Sequence, residues 1–146
     1  TAWNVALTLD YPIATSKDDD SNANYLYDHE IGHSADGSAF TSYIESSDFD
    51  LDPDGENFMF VSKFIPDIEF RDQYSTSDTV TVSIKGRNYP LESLSTLSTI
   101  SVTPESTFVN TRARSRQCAI RVSSNDIHYG WRLGDIRLEI RPDGRR

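Results

Sequence analysis

The alternation of hydrophobic and polar positions along this chain is typical of short β-strands. Residues 79–85 (TVTVSIK) alternate cleanly, which places Val80, Val82 and Ile84 on one face of a strand. Residues 58–65 (FMFVSKFI) form the most apolar run, and their aromatic and β-branched side chains predict a buried strand that ends before a proline. No window longer than ten residues keeps a helical period.

The N-terminal part predicts one strand, one hairpin and two loops. Residues 1–13 alternate loosely and predict a first strand, which residues 14–24 follow as a polar, acidic loop. Residues 24–45 hold two strand-like stretches around a Ser-Ala-Asp-Gly turn signal at 34–37, and they predict a β-hairpin. Residues 46–57 predict a second acidic loop.

The C-terminal half continues the pattern of alternation. Residues 86–108 are rich in turn residues and predict one short strand near 99–102. Residues 112–122 alternate as one strand, so that a charged face passes into an apolar one. That face carries, in order, Arg112, Arg114, Arg116, Cys118, Ile120 and Val122.

The last strand is predicted over residues 131–141, with Ile136, Leu138 and Ile140 facing inward. A Pro-Asp-Gly turn at 142–144 would close the chain. Many short strands between turn signals predict an all-β fold, an antiparallel β-sandwich or partial barrel with long polar loops.

The length of 146 residues suits a single β-rich structural domain over residues 1–146. Because the chain opens on Thr1 and not on Met, we expect a processed product or the C-terminal piece of a longer protein. The single cysteine, Cys118, rules out an internal disulfide and fits synthesis in a reducing compartment. No apolar run approaches the ~20 residues of a membrane-spanning helix, so we expect no membrane partner.

The net charge of −9 is distributed unevenly between the two halves of the sequence. Residues 1–73 hold 16 acids and 3 bases, a balance of −13, and residues 74–146 hold 7 acids and 11 bases, a balance of +4. The two halves can pair within one domain or head-to-tail between copies. A nucleic-acid-binding protein is more usually basic overall, so contact with DNA is a weak alternative confined to the C-terminal half.

Arg112, Arg114 and Arg116 are the most unusual feature of the sequence. Three like charges on one strand face repel each other unless acidic groups lie opposite, and arginine is suited to fixed, bidentate contacts with carboxylates. We favour a contact with a neighbouring subunit or domain. Salt bridges within the domain and contacts with nucleic-acid phosphates are the alternatives.

Residues 29–33 (HEIGH) match the zinc-protease signature H-E-x-x-H, in which two histidines bind zinc and the glutamate activates water. The signature needs a helix, whereas the flanking residues predict a hairpin. In a strand His29 and His33 would lie about 13 Å apart, too far for one zinc ion. No third ligand follows at the expected spacing. We therefore predict no metal site, no cofactor and no catalytic residue here.

The acidic loop around residues 48–56 offers a second candidate metal site. Residues 50–55 (DLDPDG) match the first half of an EF-hand loop, with carboxylates at alternate positions and glycine at the sixth. The twelfth position, where a bidentate glutamate is required, is Val61. A solvated acidic turn is the favoured interpretation, and calcium binding stays an open alternative.

Five segments carry a resemblance to a known family. They are 60–67 (FVSKFIPD), 87–90 (RNYP), 112–117 (RARSRQ), 131–134 (WRLG) and 142–146 (PDGRR). Their succession resembles the C-terminal end of large structural proteins of tailed bacteriophages, the tail tube, nozzle or packaged-DNA stabilisation proteins of short-tailed phages. The tyrosine-rich segment 25–45 is similar to the region just upstream, so the resemblance covers residues 25–146.

The resemblance implies a non-enzymatic, β-rich subunit of the virion, assembled in the host cytoplasm into a tail or neck ring. Its partners would be other copies of itself and other tail or neck proteins, with no small-molecule substrate. Two rival functions remain. One is a zinc metalloprotease with His29 and His33 as ligands and Glu30 as base. The other is a carbohydrate-binding module for host attachment that uses Trp3 or Trp131.

Overall fold

The all-β class predicted from the sequence is confirmed. The structure is a computed structural model that describes residues 2–4, 11–17, 24–52, 54–72 and 74–145. Within these ranges the chain forms antiparallel strands and no helix. The chain divides into two compact units, Thr1–His33 and Ser34–Arg146. The single domain over residues 1–146 and the sandwich or barrel arrangement stay predictions.

The first unit contains one small antiparallel sheet. Its strands are β1 (Ala2–Asn4), β2 (Ile13–Lys17) and β3 (Asn24–Asp28), in the spatial order β1-β2-β3. The predicted acidic loop over residues 14–24 is wrong in its first part, because β2 occupies it; residues 18–23 lie outside the described residues. The predicted first strand over residues 1–13 is described only at its two ends.

The predicted hairpin over residues 24–45 is wrong in its pairing, although its turn is confirmed. β3 pairs with β2, from Ile13 opposite Asp28 to Lys17 opposite Asn24. At the turn, Ala35 and Ser38 exchange two backbone hydrogen bonds of 2.9 and 3.0 Å. The two residues between them, Asp36 and Gly37, have φ values of 51° and 75°. Positive φ at both positions is the requirement of a type I′ turn, which Asp-Gly meets with little strain.

The second unit holds the strands that form the hydrophobic core. They are β4 (Ser42–Glu45), β5 (Phe49–Asp50), β6 (Met59–Ile65), β7 (Ile68–Asp72), β8 (Val80–Arg87), β9 (Ser95–Val102), β10 (Val109–Ser115), β11 (Gln117–Ser124), β12 (Tyr129–Leu133) and β13 (Arg137–Pro142). One sheet has the order β4-β11-β8-β9, with β5 also paired to β11. A second has the order β10-β6-β13, and β12 pairs with β7.

The core is built from the alternating positions that the sequence marks. Val80, Val82 and Ile84 are fully buried on β8, as predicted. β6 confirms the buried strand over residues 58–65, because Val61 and Phe64 are fully buried as well. Each such side chain stabilises the fold by about 1.5–3 kcal/mol relative to an exposed position.

The predicted single strand over residues 112–122 is wrong. It is two strands, β10 and β11, which belong to different sheets and meet at Arg116. β10 buries Ala113 and Ser115, whereas β11 contributes Cys118, Ile120 and Val122 to the core cluster, so the core-facing positions change from odd to even numbers at the bend; Ala119 is buried as well but lies outside that cluster. The arginines of β10 therefore do not share a continuous face with the apolar residues of β11.

Gly86 on β8 allows the chain to pass closely at this bend. A Cβ atom at Gly86 would lie 2.5 Å from Leu97 Cδ1 and 2.7 Å from Ser115 Cβ, which is well inside van der Waals contact. The glycine is therefore required by the close approach of Ser115 at the end of β10. Ser115 itself donates or accepts a hydrogen bond of 3.0 Å with the Cys118 thiol across the bend.

The predicted last strand over residues 131–141 is also two strands, β12 and β13. The chain bends between them because the backbone N–H groups of Gly134 and Asp135 donate to Asp67, over 2.7 and 3.0 Å. Ile136 lies in this connection and is exposed, so its predicted inward position is wrong. Leu138 and Ile140 are half-buried and pack against the core, as predicted.

The C-terminal residues do not form the predicted closing turn at 142–144. The N–H of Asp143 donates to Phe58 O over 2.8 Å, and the N–H of Phe58 donates to Gly144 O over 2.7 Å. These bonds extend the pairing of β13 with β6 by one step. The C-terminal segment is thereby fixed beside Phe58, at the outer end of β10.

Candidate functional site

Arg114 is held by the C-terminal segment. Its guanidinium pairs with the Asp143 carboxylate through Nε, and its Nη2 donates to Asp143 O over 3.2 Å. Its Cζ atom lies 3.9 Å from the centroid of the Phe58 ring. Phe58 is buried and Asp143 is part of the extended pairing, so Arg114 connects β10 to the residue before β6 and to the segment after β13.

Arg116 occupies the bend between β10 and β11. Its Cζ atom lies 5.0 Å from the Phe58 ring centroid and 5.7 Å from that of Tyr89. Its Nη2 donates to Arg145 O over 3.3 Å. Its Nε atom is buried and has no hydrogen-bond acceptor among the described residues.

Arg112 differs from the other two arginines of the predicted interface. It is exposed on β10 and has no ion-pair, hydrogen-bond or ring partner within the part of the chain that the structure describes. It borders a shallow depression of about 330 Å³ together with Ser98, Asn110 and Thr111. The structure thus places Arg114 and Arg116 together and Arg112 apart, and the interface role of the three stays a prediction.

A cleft of about 340 Å³ lies next to Arg116. Its lining includes Asp54, Glu56 and Asp50 from the acidic loop, and Tyr89 from the turn after β8. The sequence pattern did not single out Tyr89, which is exposed. Its only signal in the sequence is its position before Pro90 in the RNYP segment, which carries the resemblance and no prediction of a site.

Both walls of the cleft are fixed by local hydrogen bonds. Glu92 Oε2 accepts from the backbone N–H groups of Asn88 and Tyr89 over 3.1 and 3.2 Å, which holds the turn that presents the tyrosine ring. On the acidic side, β5 pairs with the start of β11, where Asp50 lies opposite Gln117. The predicted second acidic loop thus contains a short strand that anchors it to the sheet.

The carboxylates of the acidic loop have different surroundings. The Asn57 side-chain amide donates to Asp52 over 2.5 Å and, with backbone N–H groups of the loop, lowers the pKa of Asp52. Glu56 lies 3.3 Å from the Arg145 guanidinium. Asp54 is exposed and has no ion-pair or hydrogen-bond partner among the residues described here.

The acidic loop does not complete an EF-hand. Val61, at the twelfth position, is fully buried on β6. Across residues 2–4, 11–17, 24–52, 54–72 and 74–145 no three side chains of His, Cys, Asp or Glu are grouped as metal ligands.

The H-E-x-x-H segment is not helical, as its flanking residues predicted. Residues 29–33 lie between β3 and the Asp-Gly turn, and Glu30 and Gly32 have φ values of 63° and 69°. The N–H of His29 donates to Pro12 O over 2.8 Å, which ties it to the first sheet. Positive φ at alternate positions excludes the helix turn that aligns two histidines on one face.

Trp131 does not offer an exposed ring for a sugar. It is half-buried on β12, packs against the core, and donates its indole N–H to Ser42 Oγ over 3.1 Å. Trp3 lies on β1, and its side chain is outside the described part of the structure. Of the two tryptophans that the carbohydrate hypothesis names, Trp131 is therefore occupied in packing.

The acidic and arginine-rich halves of the sequence pair with each other within the second unit. Arg87 pairs with Asp48, and Glu45 Oε2 accepts from Lys85 over 2.8 Å and from Arg121 over 3.0 Å. The Glu45 pairs lower the pKa of its carboxyl group. The first of the two pairing modes expected from the charge split is therefore present in the structure.

The edge strand β4 exposes three large apolar side chains. Tyr43 and Ile44 are 56% and 51% exposed, and Phe40 just before the strand is 51% exposed. Ile44 lies opposite Val122, so the two side chains are on the same face of the sheet. Val122 is fully buried in the core, whereas Ile44, one strand further out, is exposed to solvent. In the described residues β4 has a strand neighbour on one side alone, β11.

No protein-family model matches the chain, and no curated protein matches it. The described residues include no helix long and apolar enough to cross a membrane.

Proposed function

We propose that the chain is a non-enzymatic structural subunit of a tailed-bacteriophage virion, which assembles with copies of itself into an oligomeric tail or neck ring. The observation that carries this proposal is the open apolar edge at β4. Proteins that act as monomers protect sheet edges by keeping the edge strand very short, with charged side chains, especially lysine, with proline or bulges, or with a covering loop. β4 (SYIE) is four residues long and ends in the charged Glu45, but it has neither lysine nor proline, and Tyr43 and Ile44 are large and exposed.

The position of Ile44 supports a protein neighbour over β4. Cross-strand partners lie on the same face of a sheet, and Val122 opposite Ile44 belongs to the buried core. The apolar face of the sheet thus continues outward past its last buried residue. A second copy that covers Ile44 and Phe40 would remove this surface from water, which is the main driving force for association.

The charge distribution supports the same function. Ion pairs within the second unit use many of its charges, but Arg112 and Asp54 remain without partners among the described residues. The chain therefore keeps unpaired charges of both signs, which suits polar contacts between copies of one subunit. The phage assignment itself rests on the resemblance of residues 25–146, and the oligomer is the part of it that these surfaces support.

The proposal is tested by sedimentation velocity of the wild-type chain and the Ile44→Lys variant. A charge on the open edge opposes strand addition and apolar burial, so the variant is expected to be monomeric where the wild type associates. Leu91→Lys, at a fully exposed loop position, is the matched control and is expected to associate as the wild type does. Equal association of Ile44→Lys and wild type would refute the role of the β4 edge.

A further inference from the structure

We infer that the Tyr89 cleft, lined by Asp50, Asp54, Glu56, Tyr89 and Arg116, receives the Arg112 side chain of a second copy of the chain. The inference rests on the proposed self-assembly, and it names the polar contact that joins the subunits. The donor Arg112 and the cleft carboxylate Asp54 are each left without a partner by their own chain, among the described residues.

Of Arg112, Arg114 and Arg116, Arg112 is the one that no described residue of its own chain holds. Arg114 pairs with Asp143, and Arg116 is stacked beside Phe58 and donates to Arg145 O. Arg112 has no such contact in the described ranges, and it lies on β10 at the shift of register between Asn110 and Ala113. Two other exposed arginines, Arg132 and Arg137, each lie within 4.0 Å of a carboxylate.

The acceptor combines an unpaired carboxylate with an exposed aromatic ring. Asp54 supplies the carboxylate, and Tyr89 supplies a ring held by the Glu92 hydrogen bonds at the other wall. A guanidinium group uses both, because its N–H groups form a bidentate pair with a carboxylate while its plane stacks on a ring. The Tyr89 ring already contacts one guanidinium, that of Arg116, and Tyr89 is still 59% exposed to a second one.

The charge of the cleft favours a cation. The acidic loop contributes Asp50, Asp54 and Glu56 to the lining, against the single cation Arg116. Arg145 offsets Glu56 from outside the lining, so one unit of negative charge remains near Asp54. An incoming guanidinium would neutralise it, and steering between opposite charges would speed the encounter at low salt.

Arg112 and the cleft lie at different places on one subunit. The residues that surround Arg112, namely Ser98, Asn110 and Thr111, line a separate depression and none of them lines the cleft. A contact between unlike patches is heterologous, so each subunit binds one neighbour with its arginine and another with its cleft. Such contacts close into rings when the rotation between subunits permits.

The test is a charge-reversal cycle measured by the dissociation constant of self-association at low ionic strength. Arg112→Glu and Asp54→Arg each place like charges at the contact, and each is expected to weaken association about tenfold or more. The double variant, with Arg112→Glu and Asp54→Arg in one chain, restores opposite charges and is expected to recover most of the affinity. Arg137→Glu and Glu105→Arg are the controls, because they make the same changes in net charge elsewhere.

Each outcome decides between the two claims. Loss in both single variants with recovery in the double variant establishes the contact. If the wild type associates and the single variants associate equally well, the inference is wrong and the proposed assembly stands on the β4 edge. Loss without recovery in the double variant also overturns the direct pairing. A wild-type chain that remains monomeric overturns both the inference and the proposed function.

Discussion

The guanidinium of Arg114 lies over the ring of Phe58, with 3.9 Å between Cζ and the ring centroid, while its Nε pairs with Asp143. The contact connects β10, the start of β6 and the C-terminal segment. Replacement of Arg114 by alanine removes a half-exposed ion pair and a cation–π contact at once. We expect the free energy of unfolding to fall by about 1–2 kcal/mol.

Arg112 provides the matched control for this prediction. It is exposed on the same strand without a partner in the described part of the chain, so Arg112→Ala is expected to change the free energy of unfolding by less than about 0.5 kcal/mol. Urea denaturation at low protein concentration measures both variants. Equal destabilisation by the two substitutions would show that the Phe58 and Asp143 contacts contribute nothing.

Glu45 makes the stability of the second unit dependent on pH. Hydrogen bonds from Lys85 and Arg121 hold the pKa of the Glu45 carboxyl below its ordinary value of 4.5. A depressed pKa in the folded state stabilises the fold above the unfolded-state pKa, and that contribution is lost as the pH falls through the folded-state value. The free energy of unfolding of Glu45→Gln is therefore expected to depend less steeply on pH below 4.5 than that of the wild type.

The measurement is thermal or urea unfolding of Glu45→Gln and wild type at a series of acidic pH values. Glu105→Gln is the control, because Glu105 is exposed and has no ion pair in the described residues. The control is expected to follow the wild-type curve. Curves of the same shape for Glu45→Gln and wild type would mean that the contacts with Lys85 and Arg121 do not contribute.

Cys118 is predicted to resist thiol reagents in the folded chain. It is fully buried on β11, and burial raises the pKa of its thiol. Since the thiolate is the reacting form, alkylation is expected only through unfolding of the unit. Thr107→Cys is the control, because it adds a second thiol at an exposed position. In this variant the thiol at position 107 is expected to react at once and Cys118 to stay unmodified. Rapid alkylation of wild-type Cys118 would contradict its burial.

Zinc content tests the H-E-x-x-H segment directly. The non-helical backbone at residues 29–33 predicts that the purified, unsupplemented chain holds no stoichiometric zinc. Elemental analysis of wild type, His33→Ala and, as control, His128→Ala is expected to give the same low value for all three. Near-stoichiometric zinc that is lost only in His33→Ala would contradict this account and favour the metalloprotease.

The buried strands could be predicted from sequence because their signals are local. The alternation of Val80, Val82 and Ile84 repeats with the two-residue period of a strand, and the burial follows that period. Asp36 and Gly37 also act locally, since an Asp-Gly pair accepts two positive φ values in succession. Neither signal contains information about which strand lies alongside.

The errors of the sequence analysis come from contacts between distant residues. Residues 24–45 hold two strands and a true turn, but β4 pairs with β11, where Ile44 lies opposite Val122. No pattern within residues 24–45 indicates that β4 pairs with β11, which lies much later in the sequence. The same holds for Ile136, which alternates with core residues but lies in a bend that hydrogen bonds to Asp67 impose.

The arginine pattern misled for a related reason. Arg112, Arg114 and Arg116 occupy alternate positions, but the inward side changes at Arg116 because the chain passes from one sheet to another. The small residues Ala113 and Ser115 were the available signal, since they are the buried positions of β10. Tyr89 had no comparable signal, because its place in the cleft depends on the acidic loop of a different part of the sequence.

The most direct test of self-assembly is the molecular mass of the wild-type chain in solution, measured by sedimentation velocity across protein concentration and ionic strength. The account predicts species heavier than the 16.5 kDa monomer, which become more populated as concentration rises and less populated as salt screens the polar contact. A mass of 16.5 kDa at every concentration and ionic strength would contradict it.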